Sequence, residues 1–541
     1  MPTKSIKPKR DDGLLSKGWE SPQERAPSIM RSDTPSPARI IAFFSLLTTF
    51  VGALAILMSA YEAETFLKAR IGSRGGTFLI LLGMAGLLFH AFNETEIQFR
   101  RLYGAFGTAL LALGYIFMFR FGKQDYSGQF LLIGAPCYAL SWCFLLCYFR
   151  NETEETLRIW VSRAMGATAL LMIATGVIGS LLPASGYGSD FLLGRGVVHL
   201  ILGLLFVGGC VSTLSIENPW SYWMPFGVGA IGVMMIVLGA GWSIPYVSPM
   251  FKWLPWPPQQ PGAPFLFIYA GLEFLLLSVG ICSDNKFVVM ARRELASFFY
   301  SPIAYFVLIG FAIFGGFSFV SFVSAITDPR VGAIREPIIV YYMFGYVSIT
   351  SLVLLVPVIT MRQLSEEQRL GTMEVLLTAP VTETMIVLSK FFAAWRFYLL
   401  AWYPWGLYLV ALRVEGGAPF DYRPVLSFAL ALAITGAAFV AMGIFFSSVT
   451  KNQVVAAVLS LLGMLFPIFL YLLKGTIASN PLTGTSGSSA WTTFLTYVNF
   501  VDLWDQALMG RVAPRFYLFY ISSAVFWLFL TIKVLESRKW R

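Results

Sequence analysis

The sequence predicts an all-α, polytopic integral membrane protein of about 14 transmembrane helices, about eight followed by about six, with both termini cytoplasmic. Three observations carry this. Of 541 residues, 57% are hydrophobic and only 13% charged, against roughly 25% charged in a water-soluble domain. The apolar residues come in blocks of about 20, the length of helix that crosses a hydrocarbon core. The mean hydropathy, +0.70, is strongly positive. An ordinary water-soluble enzyme is excluded, and disorder is confined to short stretches.

The 39 Lys and Arg against 29 Asp and Glu give a net charge of +10. Basic residues that gather in cytoplasmic loops account for this excess, and no nucleic-acid partner is needed. If the N-terminus is inside, the inside loops hold Arg100, Arg101, Arg150, Arg158, Lys286, Arg292, Arg362 and Arg369, with Lys533 and Arg538 at the far end. Lys68, Arg70 and Arg74 go against the trend. The cysteines (Cys137, Cys143, Cys147, Cys210 and Cys282) lie in or beside apolar blocks, with no C-x-x-C or Cys/His spacing, so neither a metal nor a disulfide is expected.

Taken in order, residues 1–38 are polar, basic and aperiodic, which predicts a disordered cytoplasmic tail. Residues 39–283 form a front membrane domain with spans near 40–60, 76–92, 102–119, 130–149, 164–183, 197–216, 224–241 and 265–283. Residues 284–541 hold the remaining spans, near 303–325, 338–360, 391–411, 425–449, 453–473 and 516–533. Each block is long enough to cross alone. The prolines at 255, 257, 258, 261 and 264 mark an extended loop.

The boundary near 284 is drawn on DNKFVVMARRELASFFYSP, which places charges on one side of a helix and apolar residues on the other. It predicts a helix over 286–300 lying in the cytoplasmic interface. The long inside loop that follows, 361–385, has Glu366, Glu367, Gln368 and Glu374 against Leu370, Met373, Leu376 and Leu377 at three-to-four spacing. Gly371 predicts a bend or a close backbone contact within it, and Pro380 its end. Such an element either rests on headgroups or seats in a groove on a soluble partner. On the opposite side, 474–515 is either a cap or gate over the spans or a plain linker.

These residues also carry a resemblance. EEQRLGTMEVLLTAPVT, starting at Glu366, resembles the cytoplasmic signature of the type-2 ABC exporter permeases, particularly the gliding-motility and copper-maturation subgroup. ELASFFYSPIAYFVL (294–308), GIFFSSVTKNQVVAAVLS (443–460) and the closing stretch 500–540 resemble the same family in the same order. The turn residues Ser447, Thr450, Asn452 and Gln453 keep the family's Ser-x-x-Thr-x-Asn-Gln pattern. The resemblance covers about 285–541 and leaves the front domain unassigned. It implies a permease subunit of an ATP-driven exporter in a bacterial inner membrane. It also implies a separate ABC ATPase in two copies and a permease homodimer or heterodimer.

On that resemblance, Glu366, Glu367 and Glu374 would offer charge to the ATPase and Met373, Leu376 and Leu377 apolar area. Gly371 and Pro380 would set the shape, with Arg369 and Thr372 in the same stretch. No G-x-x-x-x-G-K-[ST] occurs in the chain, and phosphates need that loop and its lysine. ATP is therefore expected only through the partner, with no cofactor bound directly.

Three intramembrane polar residues stand apart. Glu273 is costly in hydrocarbon and is either functional or a hydrogen-bonded pin between helices. His90 and His199 are either packed side chains or, with Glu273, the relay of an ion- or proton-coupled secondary transporter, the alternative mechanism. A polytopic enzyme would need a catalytic constellation at a membrane surface that two buried-looking histidines do not supply, and a sensor or scaffold role for the front domain is compatible with the permease reading. Lys390 and Arg396, at the start of the 391–411 span, are expected to snorkel to the headgroups.

Overall fold

The computed structural model describes residues 37–61, 66–93, 96–119, 134–150, 155–181, 196–213, 220–247, 263–327, 337, 339–373, 381–416, 423–478 and 490–539. Among them the elements are helices and no strand occurs. Most of the predicted tail, all but the end of the proline-rich loop, and Glu374, Leu376, Leu377 and Pro380 lie outside these residues.

The chain forms two units. One comprises residues 1–106 and 143–148, the other 107–142 and 149–541. In the first, α1 (Pro37–Tyr61) packs along α2 (Phe66–Asn93), followed by the start of α3 (Ile97–Phe119). His90 lies buried here, its Nδ1 2.7 Å from the Tyr103 hydroxyl, and Tyr103 stacks on Phe144.

In the second unit, α4 (Ala135–Arg150, in part), α5 (Glu155–Leu181), α6 (Val197–Thr213), α7 (Trp220–Val247) and α8 (Ala263–Cys282) follow the predicted spans. His199 is buried in α6. The α7–α8 pair is tight because both helices offer glycine at the crossing. A Cβ at Gly232 would fall 2.7 Å from the Gly271 carbonyl oxygen, and one at Gly271 would fall 2.6 Å from that of Gly232. Small residues let backbones meet in this way where no water drives association. The unit continues across residue 284, so the boundary drawn there from sequence is not a boundary of packing.

The amphipathic stretch forms α9 (Lys286–Tyr300), the predicted helix to the residue. Asn285 caps it, its Oδ1 accepting from the Phe287 N–H at 2.9 Å. It meets α8 at a bend of 102°. Beyond it come α10 (Pro302–Thr327), α11 (Ile339–Met343), α12 (Tyr346–Thr360), α13 (Ser365–Leu370), α14 (Glu383–Gly416), α15 (Arg423–Val449), α16 (Gln453–Ala478), α17 (Ala490–Val498), α18 (Phe500–Leu508) and α19 (Pro514–Lys539).

A helix thus lies at each of the predicted span positions. Among the described residues 8 helices are long and apolar enough to cross a membrane, or up to 9 if the bent α8–α9 pair is one span. Two of the eight are α5 and α7; the others all lie beyond residue 302. The apolar stretches in α1, α2, α4 and α6 are shorter. The spans of α12, α14 and α15 are more than half buried and form the centre, while α10, α16 and α19 are less than a quarter buried and form the rim. The centre is aromatic, with Tyr342, Phe397, Tyr398, Trp405, Phe500 and Trp504 wholly buried.

The described part of 474–515 is not a plain linker: it forms two short helices. The helices α17 and α18 meet at the buried Asn499, whose Oδ1 accepts from the Val501 N–H at 2.9 Å. Phe500 packs on Phe439, about 24 Å along α15 from its start. At the other end of α18 the Ala507 carbonyl accepts from Ser427, near the start of α15. The pair therefore dips in among the spans and returns.

Candidate functional site

The candidate site is built where α9, the 361–373 stretch, the start of α14 and the α15–α16 turn converge. After α12 the backbone makes a turn and re-enters a helix at Ser365. The Ser447 hydroxyl accepts from the Leu364 and Ser365 N–H groups at 3.1 and 3.0 Å, and lies 3.1 Å from the Met361 carbonyl, to which it donates. Those N–H groups belong to the start of a helix and have no intrahelical acceptor. Gln368 Nε2 donates to the Ser448 carbonyl at 2.8 Å, an oxygen that also accepts from Arg538 at 2.7 Å. The segment is therefore held to α15 along one side.

The rest of the family-like turn is structural too. Thr450 Oγ1 accepts from the Asn452 N–H at 3.1 Å, and Asn452 Oδ1 accepts from the Val454 N–H at 2.9 Å, which caps the start of α16. The turn thus presents the serines to the segment.

The acidic residues of the segment face their own chain. Arg362 makes two bonds to Glu366, Nε to Oε2 at 2.8 Å and Nη2 to Oε1 at 3.2 Å, while its Nη1 donates to Ser301 Oγ at 3.0 Å, just past α9. Lys390 Nζ lies 2.6 Å from Glu367 Oε1 and 3.0 Å from Glu294 Oε2. The Lys390 side chain is only 4% exposed. One ammonium thus ties the segment, α9 and α14 together. The expectation that Lys390 snorkels to the headgroups is overturned: two carboxylates near its own height on the helix meet it inside the protein.

Arg396 departs from expectation in the same way. Its guanidinium forms a two-bond ion pair with Glu273 of α8, with Nη1 to Oε1 at 2.9 Å and Nη2 on Oε2. Tyr403 completes the group by hydrogen bonding to Glu273, and Tyr269 hydrogen-bonds to Tyr403 behind it. The carboxylate that sequence reading grouped with His90 and His199 therefore has a cation as its partner. A carboxylate matched by a two-pronged guanidinium is a strong, geometrically specific pairing.

What faces outward is the tip. Gly371 takes φ 74°, the left-handed conformation that ends α13 and supplies the predicted bend. Arg369, Leu370, Gly371 and Thr372 are exposed, Leu370 by 61%. Met373 turns back and is buried in the core, so its apolar area is used within the chain. The apolar side of α9 packs against α14, with Phe298 stacked on Phe397 at 4.8 Å. Sequence reading missed the roles of Arg362, Glu294, Lys390 and Arg396, since their partners lie up to 123 residues away in the chain.

The arrangement is an exposed tip on a base of ion pairs that connects to the spans. Among the described residues no cluster of His, Cys, Asp and Glu could hold a metal ion. Neither the curated proteins nor the solved structures contain a match to this chain. The chain is a multi-pass membrane protein, and its residues 335–533, which include the segment, its tip and the spans around it, match the family model described as ABC-2 family transporter protein.

Proposed function

We propose that this chain is the permease subunit of an ATP-driven exporter, moved by a separate ABC ATPase that docks on the 369–372 tip. The observation that carries the reading is the tip itself. It is an exposed Leu370 beside Arg369 at a glycine-ended helix, seated on a base whose charges are already matched inside the chain. The family match over 335–533 supports a transporter membrane domain, and the lack of a phosphate-binding loop in this sequence favours ATP hydrolysis by a partner. Docking at the tip would push on Lys390 through Glu367 and so on α14, switching the spans between inward- and outward-open states.

In this reading the docking contacts are redistributed from the sequence expectation. Leu370, Arg369 and Thr372 make them, while Glu374, Leu376 and Leu377 lie outside the described residues. Glu366 and Glu367 hold the base. Two ATPases and two permease subunits, alike or different, would form the working complex in a bacterial inner membrane. The pairing of Glu273 with Arg396 favours the permease reading over the ion- or proton-coupled alternative.

The test is purification of the tagged full chain from its own membranes in mild detergent, with mass spectrometry of what accompanies it. A P-loop ATPase in near-equal amount, lost on Leu370→Asp while the gel-filtration profile of the permease is unchanged, is the expected result. An intact permease with no ATPase, or an ATPase retained by Leu370→Asp, would overturn the reading.

A further inference from the structure

Two ion-paired grips hold α14, and they come from the two arms of one bent element. Glu273 of α8 takes Arg396, and Glu294 of α9 takes Lys390. The two cations are six residues apart, about 9 Å along the helix and about 120° around it. Grips separated both along and around a helix resist sliding and rotation together. The arms themselves are tied where they join: Arg292 of α9 donates to the Ile281 carbonyl at the end of α8, at 3.0 Å. Lys390 then passes the linkage to the 361–373 segment through Glu367.

We propose that Glu273 and Arg396 are positioning residues of the transport cycle, clamping α8 to α14 so that α8, α9, α14 and the 361–373 segment move as one body. Glu273 lies outside the 335–533 match, so the front half of the chain enters the cycle through α8. The α7–α8 glycine crossing extends the same body to α7, because the two backbones pass there with no room for a side chain between them. The working permease unit would therefore begin near Trp220 rather than near 284. A pair that merely pinned two helices would need neither the second grip nor its link to the segment.

The inference rests on the permease reading for its place in a transport cycle, but its test needs no ATPase. Hydrogen exchange of the 364–373 amides is followed by mass spectrometry in the purified full chain. Glu273→Gln is expected to speed that exchange at least fivefold, and the charge-swapped double variant Glu273→Arg/Arg396→Glu to return it to within twofold of the parent. Unchanged exchange over 364–373, with faster exchange confined to α8 and α14, would reduce the pair to a local pin and overturn the proposal. A swap no better than the single variant would also overturn it. Where Glu273→Gln does not accumulate, Glu273→Asp keeps the charge and shortens its reach by one methylene. It should speed exchange at least twofold, and a parental rate there is equally fatal. Failure to capture an ATPase bears only on the permease reading.

Discussion

Replacing Lys390 with Met removes one cation and exposes what it does. The side chain is 4% exposed and its two carboxylates 13% and 24%. Met keeps most of the volume and the unbranched shape, so the change is mainly electrostatic. Glu294 and Glu367 both contact the same nitrogen, so their nearest oxygens are no more than about 6 Å apart. At an effective dielectric of about 20, two such charges repel by about 3 kcal/mol. Removing one partner from a buried ion pair costs about 3–5 kcal/mol. The partial exposure of Glu367 returns some water to it, which sets the expectation near the lower end, about 3 kcal/mol. That corresponds to roughly a hundredfold in the folding equilibrium.

The assay is unfolding in mixed micelles by titration with an ionic detergent, followed by the fluorescence of the 15 tryptophans. The same titration on the triple variant Lys390→Met/Glu294→Gln/Glu367→Gln separates charge from shape. Removing all the buried charges together should restore stability to within about 1 kcal/mol of the parent, since replacing a whole buried ion group is often neutral. A loss under about 1 kcal/mol for the single variant would refute the bridging role. A triple variant as weak as the single one would show that the loss came from packing.

Ser447→Ala removes the acceptor for the Leu364 and Ser365 N–H groups and should cost about 1–2 kcal/mol, read as a lower unfolding midpoint in the same titration. Trp504, wholly buried with Nε1 3.2 Å from Thr435 Oγ1, should lose about 3–5 kcal/mol on Trp504→Ala but only about 1 kcal/mol on Trp504→Phe, measured side by side. Gly371→Ala places a side chain at φ 74° in open space and should cost about 1–2 kcal/mol by strain alone, with an earlier onset of protease cleavage near the tip.

Element positions were legible because hydrophobic blocks and amphipathic periodicity are local. The helix over 286–300 could be drawn to the residue, since Asn285 caps it and its charges fall on one side. The bend at Gly371 was legible for the same kind of reason: only the backbone of that residue decides it. The partners of charged residues were not. Nothing local distinguishes a lysine that snorkels from one that meets two carboxylates, and Lys390 finds Glu294 across 96 positions of sequence. The re-entrant α17–α18 pair was hidden differently. Each helix is 9 residues long, too short to register as a span, and the burial that reveals it comes from aromatic residues on α14 and α15.

Arg396 shows what a better signal would have been. A membrane charges heavily for an isolated cation, and about as heavily for an isolated carboxylate. A chain that carries Glu273 in the last front span and Arg396 inside the 391–411 block invites both to pair before either is assigned a function. Pairing explains both with one contact, whereas a relay explains only the acid and snorkelling only the base. The same economy applies to Glu294, Glu367 and Lys390, where charges at one end of the bundle resolve into a single bridge. Counting opposite charges at matched depth, before asking what each does, would have placed α8 beside α14.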